Sequence, residues 1–304
     1  MVELHDLDPI LAELELPPAL SSTPLPGGSN EVFLIDLRDG AIVVLKISRM
    51  QETMPTRDAH AAALLAPLGI PVTRYLLIDE SRNRLPFRFA LTSYLPGLAA
   101  IDCAAHPNYR DIFREIGGLA RRLHTIELPA FGTFPEPRHG RNTDYVRALA
   151  DQAFARFLHY GADPALTEKL QRIFERDFDA VVPATRQAVF AHDDLHPGNI
   201  LVVATGARLS ISGLVDFGNA RASAAVMDLA KTVFICEHMA PGSSSAILAG
   251  YGPIDHPAPQ AALAFYTMLH RVVMWWWLRH IGAIAAPETE SDLIEALRAT
   301  AAQT

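Results

Sequence analysis

The sequence predicts an α+β fold, with antiparallel strands early and helices dominating the rest. Three observations carry this reading. Asp39-Gly40 separates two apolar runs, residues 31–37 and 41–47, and an Asp-Gly step between strand-like runs is a strong hairpin signal. A second strand pair is expected at residues 200–203 and 209–215, joined by a turn at 204–208 and preceded by a short apolar strand at 188–191. Helical segments are expected at residues 119–124, 143–178 and 261–286.

The chemistry-bearing segment lies among those later strands. It reads His192-Asp193-Asp194-Leu195-His196-Pro197-Gly198-Asn199, and after an apolar stretch comes Leu214-Val215-Asp216-Phe217-Gly218. Pro197 has no N–H to donate and Gly198 allows unusual dihedrals, so the first segment is a loop. Asp194 and Asn199 are five positions apart, and Asp216 follows Asn199 by seventeen. Phosphoryl transfer passes through a loose transition state, so a protein mainly positions groups and neutralises charge. Asp194 is the candidate to accept or orient the proton of a hydroxyl. Asn199 and Asp216 offer oxygen ligands, which suit a hard cation such as Mg²⁺. His196 either helps to neutralise the moving group or only packs the loop, and His192 braces it.

These segments resemble the aminoglycoside phosphotransferase family, whose fold is similar to that of protein kinases. The family pattern of a catalytic loop, an Asp-Phe-Gly turn and an Asp-Leu-Ala segment matches residues 192–200, 215–218 and Asp228-Leu229-Ala230. The resemblance covers most of the chain from about Leu25. It implies a bilobal protein-kinase-like fold. Residues 1–96 would form an N-lobe of antiparallel sheet and helix that binds nucleotide. Residues 97–304 would form a mostly helical C-lobe with the catalytic loop and the acceptor site. ATP or GTP and Mg²⁺ are the implied cofactors. Gly28, Ser29 and Asn30 would bring backbone N–H groups to the phosphates. Lys46, a charge in an otherwise apolar strand, needs partners, and the resemblance supplies phosphates and an acid on the next helix. The matching position holds Asp58, where relatives usually carry Glu. Either the helix sits closer, or Glu52 substitutes, or the pair is looser. The Ser93 carbonyl and the Leu95 N–H would bond the purine before Pro96-Gly97 ends the strand. Asp228 should accept backbone N–H bonds from the catalytic loop.

Whole-chain features bound the function. At 304 residues, 50% hydrophobic and 20% charged, the chain can bury a sizeable core. A net charge of −8 argues against a nucleic-acid partner. Cys103 and Cys236 do not make a disulfide framework and suit a cytoplasmic location. Residues 261–286 are interrupted by Arg271 and Arg279 and read as a buried helix rather than a membrane span. Trp275-Trp276-Trp277 covers nearly a full helical circumference, so at least one ring must meet a pocket, an interface or a neighbouring helix. The expected partner is a small molecule with a hydroxyl group, and no segment calls for an obligate protein partner.

The acceptor expected from the resemblance is an aminoglycoside-type antibiotic, with Asp193 and Glu237 as candidate carboxylates facing its ammonium groups. Asp193 replaces a usually small residue and either contacts substrate or caps the turn. Macrolide, choline, homoserine and sugar-amine kinases look similar at the loop and remain alternatives. A metal-dependent phosphohydrolase would need further upstream His ligands. A catalytically silent nucleotide-binding module would require loss of Asp194, Asn199, Asp216 or Lys46, and all four are present.

Overall fold

The computed structural model describes residues 4–25, 30–48, 55–206, 208–284 and 291–302. In chain order the regular elements begin α1 (Leu4–Glu13), β1 (Ala19–Leu25), β2 (Asn30–Leu37), β3 (Ile42–Ser48), α2 (Pro55–Leu65), β4 (Tyr75–Asp79), β5 (Arg88–Ser93) and β6 (Leu98–Ala99). They continue with α3 (Ile112–Leu123), β7 (Glu127–Leu128), β8 (Gly132–Thr133), α4 (Asn142–His159), α5 (Pro164–Val181), β9 (Ala188–Ala191), β10 (Ile200–Thr205) and β11 (Arg208–Leu214). The last are β12 (Arg221–Ser223), α6 (Ala225–Met239), α7 (Ser244–Tyr251), α8 (Pro259–His280) and α9 (Asp292–Ala302). Contacts gather these into two compact units, Met1–Ile112 with His196–Ala220, and Phe113–Leu195 with Arg221–Thr304.

The first unit is built on an antiparallel sheet in the order β1-β2-β3-β5-β4. The expected hairpin is its centre: β2 and β3 pair from Asn30↔Ser48 to Asp36↔Ile42, and Gly40 takes a φ of 86° in the turn. Side chains alternate across a strand, so Val43, Leu45 and Ile47 of β3 share one face. They are buried with Leu7, Ile10 and Leu11 of α1 and with Phe89 of β5. Lys46 consequently points to the opposite face. A second sheet, β11-β10-β6, contains the second expected strand pair.

The second unit carries a short antiparallel sheet, β7-β9-β12-β8, and most of the helices. All four residues of β9 are buried. The helical block expected at 143–178 is the pair α4 and α5, divided where Asp163 accepts the Ala165 N–H at 2.9 Å and Pro164 opens α5. The core joins α4, α5, α6, α8 and α9 through Phe157, Phe174, Met227, Tyr266, Trp275 and Leu297. Trp275 meets Phe157 edge-on at 4.8 Å, and Trp276 stacks on Tyr160 at 6.2 Å, so two rings of the tryptophan run are turned towards α4 and its end. Helices α3 and α7 touch backbone to backbone: a Cβ at Gly117 would lie 2.1 Å from the Ile247 carbonyl oxygen, and one at Gly250 2.0 Å from that of Arg114. Among the described residues no helix is long and apolar enough to cross a membrane.

Candidate active site

In the first unit, Lys46, Asp58 and Asp216 come together. Helix α2 buries Asp58, Ala61, Ala62 and Leu65, which share one face at helical spacing. Asp58 lies in the first turn, where the helix dipole favours a carboxylate. Its Oδ2 is 2.5 Å from Lys46 Nζ, and Asp216 Oδ1 is 3.0 Å from the same nitrogen. The shorter acid therefore reaches the lysine directly, while Glu52 lies outside the described residues. Burial works against the Lys46 charge, but Asp58 and Asp216 outweigh it and hold the pKa above its ordinary value. Tyr75 of β4 also hydrogen-bonds Asp58.

Strand geometry sets the Asp216 turn. The Leu214 N–H donates to the Pro71 carbonyl at 2.8 Å, and the Val215 N–H donates to the Asn199 carbonyl at 3.1 Å. Asn199 and the residue before Asp216 are thus joined across the β10–β11 pair. Asp216 itself is left-handed, at φ 65°, an uncommon conformation for a residue with a Cβ. Arg57 of α2 donates through Nη1 to the Gly218 carbonyl at 2.7 Å and ties the turn to the helix that carries Asp58. His196 folds back on its own loop: Nδ1 accepts the Gly198 N–H at 3.0 Å, and Nε2 lies 3.3 Å from Asn199 Nδ2.

The nucleotide candidates are placed as follows. Ser93 ends β5, its N–H donating to the Arg74 carbonyl at 2.8 Å. The Leu95 side chain lies against Gly213 of β11. Asn30 opens β2, and its Oδ1 accepts from Ser48 Oγ at 3.1 Å. Gly28 and Ser29 lie outside the described residues.

Asp194 belongs to the second unit. It is partly exposed between buried Asp193 and buried Leu195. The loop is braced as expected by Asp228, which accepts the N–H of His192 at 3.2 Å and of Asp193 at 2.8 Å. Asp228 is held in turn by His124 Nε2 at 2.9 Å, and His124 Nδ1 meets the Tyr251 hydroxyl at 2.8 Å.

Both candidate acids for a cationic acceptor are otherwise engaged. Asp193 is buried and left-handed at φ 55°. Its carboxylate lies 2.6 Å from Arg221 Nε and 3.3 Å from Lys231 Nζ. Burial opposes its charge, and Lys231 and Arg221 outweigh burial, so its pKa falls below the carboxylate range. Glu237 accepts the Gly242 N–H at 2.7 Å, the Ser244 N–H at 2.9 Å and the Ser244 hydroxyl at 2.5 Å. It fixes the start of α7, where the N–H groups lack helical partners.

Tyr75, His124, Arg221, Lys231 and Tyr251 were not singled out from sequence. Lys231 carried a usable signal: it interrupts an apolar helix, the same argument that marks Lys46.

The chain is similar in fold to the GDP and kanamycin complex of APH(2″)-IIIa, at 18% identity and a TM-score of 0.68, covering 99% of this chain and 100% of that one. It is also similar to macrolide 2′-phosphotransferase MphH from Brachybacterium faecium, at 18% identity, a TM-score of 0.63 and 97% coverage of both chains. A third likeness is to the amicoumacin kinase hAmiN with AMP-PNP, Ca²⁺ and Ami, at 17% identity and a TM-score of 0.63, covering 97% of this chain and 91% of that one. At such identities the likeness is one of fold. Comparison with curated proteins gives no match. The model of the phosphotransferase enzyme family (APH) matches residues 22–265, a span that includes Lys46, Asp58, residues 192–199, Asp216 and Asp228. The chain therefore belongs to the phosphotransferase enzyme family.

Proposed function

We propose that this phosphotransferase moves the γ-phosphoryl group of ATP or GTP to a hydroxyl group on a small molecule. The observation that carries the reading is Lys46 held between Asp58 and Asp216. A lysine fixed in this way presents a positive charge where phosphate oxygens need one. In this reading residues 1–96 and 97–304 form the two lobes, and the Ser93 carbonyl, with the Leu95 N–H, bonds the purine. Gly28, Ser29 and Asn30 are in this reading the residues that offer backbone N–H groups to the phosphates.

Asn199 and Asp216 present a hard-oxygen donor pair suited to Mg²⁺, which keeps few protein ligands and shares the rest among phosphate and water. The bound ion would neutralise charge on the transferring group. Asp194 orients the acceptor hydroxyl and takes its proton. His196 holds the loop and the Asn199 amide in register, next to the transferring group.

An aminoglycoside-type acceptor is the first reading, supported by family membership and by kanamycin in one structural neighbour. A less cationic acceptor, of macrolide, choline, homoserine or sugar-amine type, is the second. It is favoured by Asp193 and Glu237, whose carboxylates are engaged by this chain's own cations and N–H groups. The test is nucleotide consumption with Mg²⁺ against aminoglycosides, macrolides and small amino alcohols, on the wild type and on Asp194→Ala. We expect stimulation by one class in the wild type. In D194A we expect turnover to fall by about 10³-fold or more while nucleotide still binds. Near-normal turnover in D194A overturns the role given to Asp194, and no stimulation by any acceptor overturns the assigned reaction.

A further inference from the structure

We propose that Lys231 is a positioning residue for Asp194 and acts through Asp193. The inference rests on Asp194 being the group that handles the acceptor proton. A non-glycine residue in the left-handed region is held there by its surroundings at a cost of order 1 kcal/mol or more. Asp193, the residue immediately before Asp194, is such a residue, at φ 55°. Each of its polar groups is fixed, from α6 or from β12. Its N–H donates to Asp228 Oδ1 at 2.8 Å. Its carboxylate takes Arg221 Nε of β12 at 2.6 Å, and Arg221 Nη1 reaches on to the Tyr145 hydroxyl of α4 at 3.2 Å.

Lys231 of α6 makes two contacts with this one residue. Its ammonium lies 3.3 Å from the Asp193 carboxylate and also donates to the Asp193 backbone carbonyl. The carbonyl contact bears most directly on Asp194. That carbonyl belongs to the peptide plane whose N–H is that of Asp194, so fixing it sets the orientation at which Asp194 leaves the loop. Arg221 already supplies a counter-ion for the carboxylate, whereas the Lys231 ammonium spans carboxylate and carbonyl together. Asp228 and Lys231 thus hold the two ends of Asp193 from the same helix, three residues apart, which places them on one face of α6. A displaced general base of even 1 Å lowers turnover steeply while leaving substrate binding intact.

The test is Lys231→Met, which keeps the length of the side chain and removes its charge and its donors. Hydrogen exchange of residues 189–199 is measured in the full chain, together with Mg²⁺-dependent ATP turnover on whichever acceptor of the panel stimulates the wild type. We expect faster exchange in that loop with α4 and α5 unchanged, and a kcat lower by roughly 10- to 100-fold. The KM values for nucleotide and acceptor should stay within about twofold. Lys231→Arg should restore most of the turnover. Exchange and kcat like those of the wild type overturn the proposal. So does loosening of the whole unit with kcat and KM moving together, which marks a role in stability only. Should K231M fail to fold, both readouts are taken on Lys231→Gln, which keeps a donor without the charge. If no acceptor stimulates the wild type, the reaction assigned above fails, and unchanged exchange in K231M then overturns the loop contact separately.

Discussion

His270 lies deep in the second unit, its Nε2 3.0 Å from the Met227 carbonyl oxygen. Burial pushes its pKa down to about 4, against a smaller opposing pull from Asp193, while Lys231 and Arg221 push the same way as burial. An unfolded chain protonates this imidazole near pH 6.5, so between pH 6.5 and 4 the unfolded state binds a proton that the folded state refuses. The resulting stability is fully present above pH 6.5 and is lost as pH falls towards 4, by up to about 1.4 kcal/mol per unit. Asp193, with its lowered pKa, extends the loss below pH 4. Urea unfolding at pH 7 and pH 4.5 measures this. We expect the wild type to lose about 2 kcal/mol more than His270→Gln over that interval, and equal losses would show that His270 does not titrate as described. At this scale, legibility followed chemistry that shows itself locally. Lys46 was legible because a charge in an apolar strand demands partners. Asp58 was legible through the family resemblance, which calls for an acid on the helix after the Lys46 strand. Arg221 was not, because its partner Asp193 lies 28 residues away and nothing near Arg221 declares the pairing. Tyr75 was missed for a similar reason: an aromatic residue in a strand reads as core until its hydroxyl is seen beside Asp58.

Helix α7 has eight residues, too few to be stable on its own in water. Glu237 supplies acceptors to its N-terminal groups from the end of α6, and the close α3 contact holds its flank. We expect Glu237→Ala to cost about 1 kcal/mol of stability, the usual worth of a lost cap, with no change in acceptor KM. A large rise in acceptor KM at unaltered stability would instead return Glu237 to the substrate. Elements with strong periodicity or turn chemistry were read correctly, among them the β2–β3 hairpin, the β10–β11 pair and α8. Strand β1, Ala-Leu-Ser-Ser-Thr-Pro-Leu, was not read, since it is mostly exposed, polar and interrupted by a proline, which suits its place at the sheet edge. The break between α4 and α5 has a local signal, since Asp163-Pro164 marks a helix start.

Each compact unit has its own hydrophobic cluster, one built on the large sheet and α1, the other on the helices. All three tryptophans of the chain are residues 275–277 and so belong to the second unit. Lys46, Asn199 and Asp216 belong to the first. Intrinsic tryptophan fluorescence therefore reports one unit, whereas far-ultraviolet circular dichroism reports both. If the first unit binds nucleotide as proposed, saturating Mg²⁺–nucleotide at about 100 times its Kd should stabilise it by about 2.7 kcal/mol. The dichroism transition should then shift beyond the fluorescence transition. Coincident shifts would mean that the two units unfold as one. The α+β class was legible at this scale from the order of elements. The division of the chain was less so: residues 196–220 group with the first unit because β10 pairs with β6 and Leu214 bonds Pro71, both distant in sequence.

The backbone contact between α3 and α7 reaches further than packing. Gly117 and Gly250 sit on the two helices whose C-terminal ends lead to His124 and Tyr251, the pair that steadies Asp228 beneath the loop of residues 192–199. A single methyl group at either glycine would wedge the helices apart and pull on that chain of hydrogen bonds. Anyone randomising this gene to seek new acceptors would lose clones at these two codons without touching a residue that meets substrate. The losses would look like failures of chemistry, although their origin is the width of a hydrogen atom.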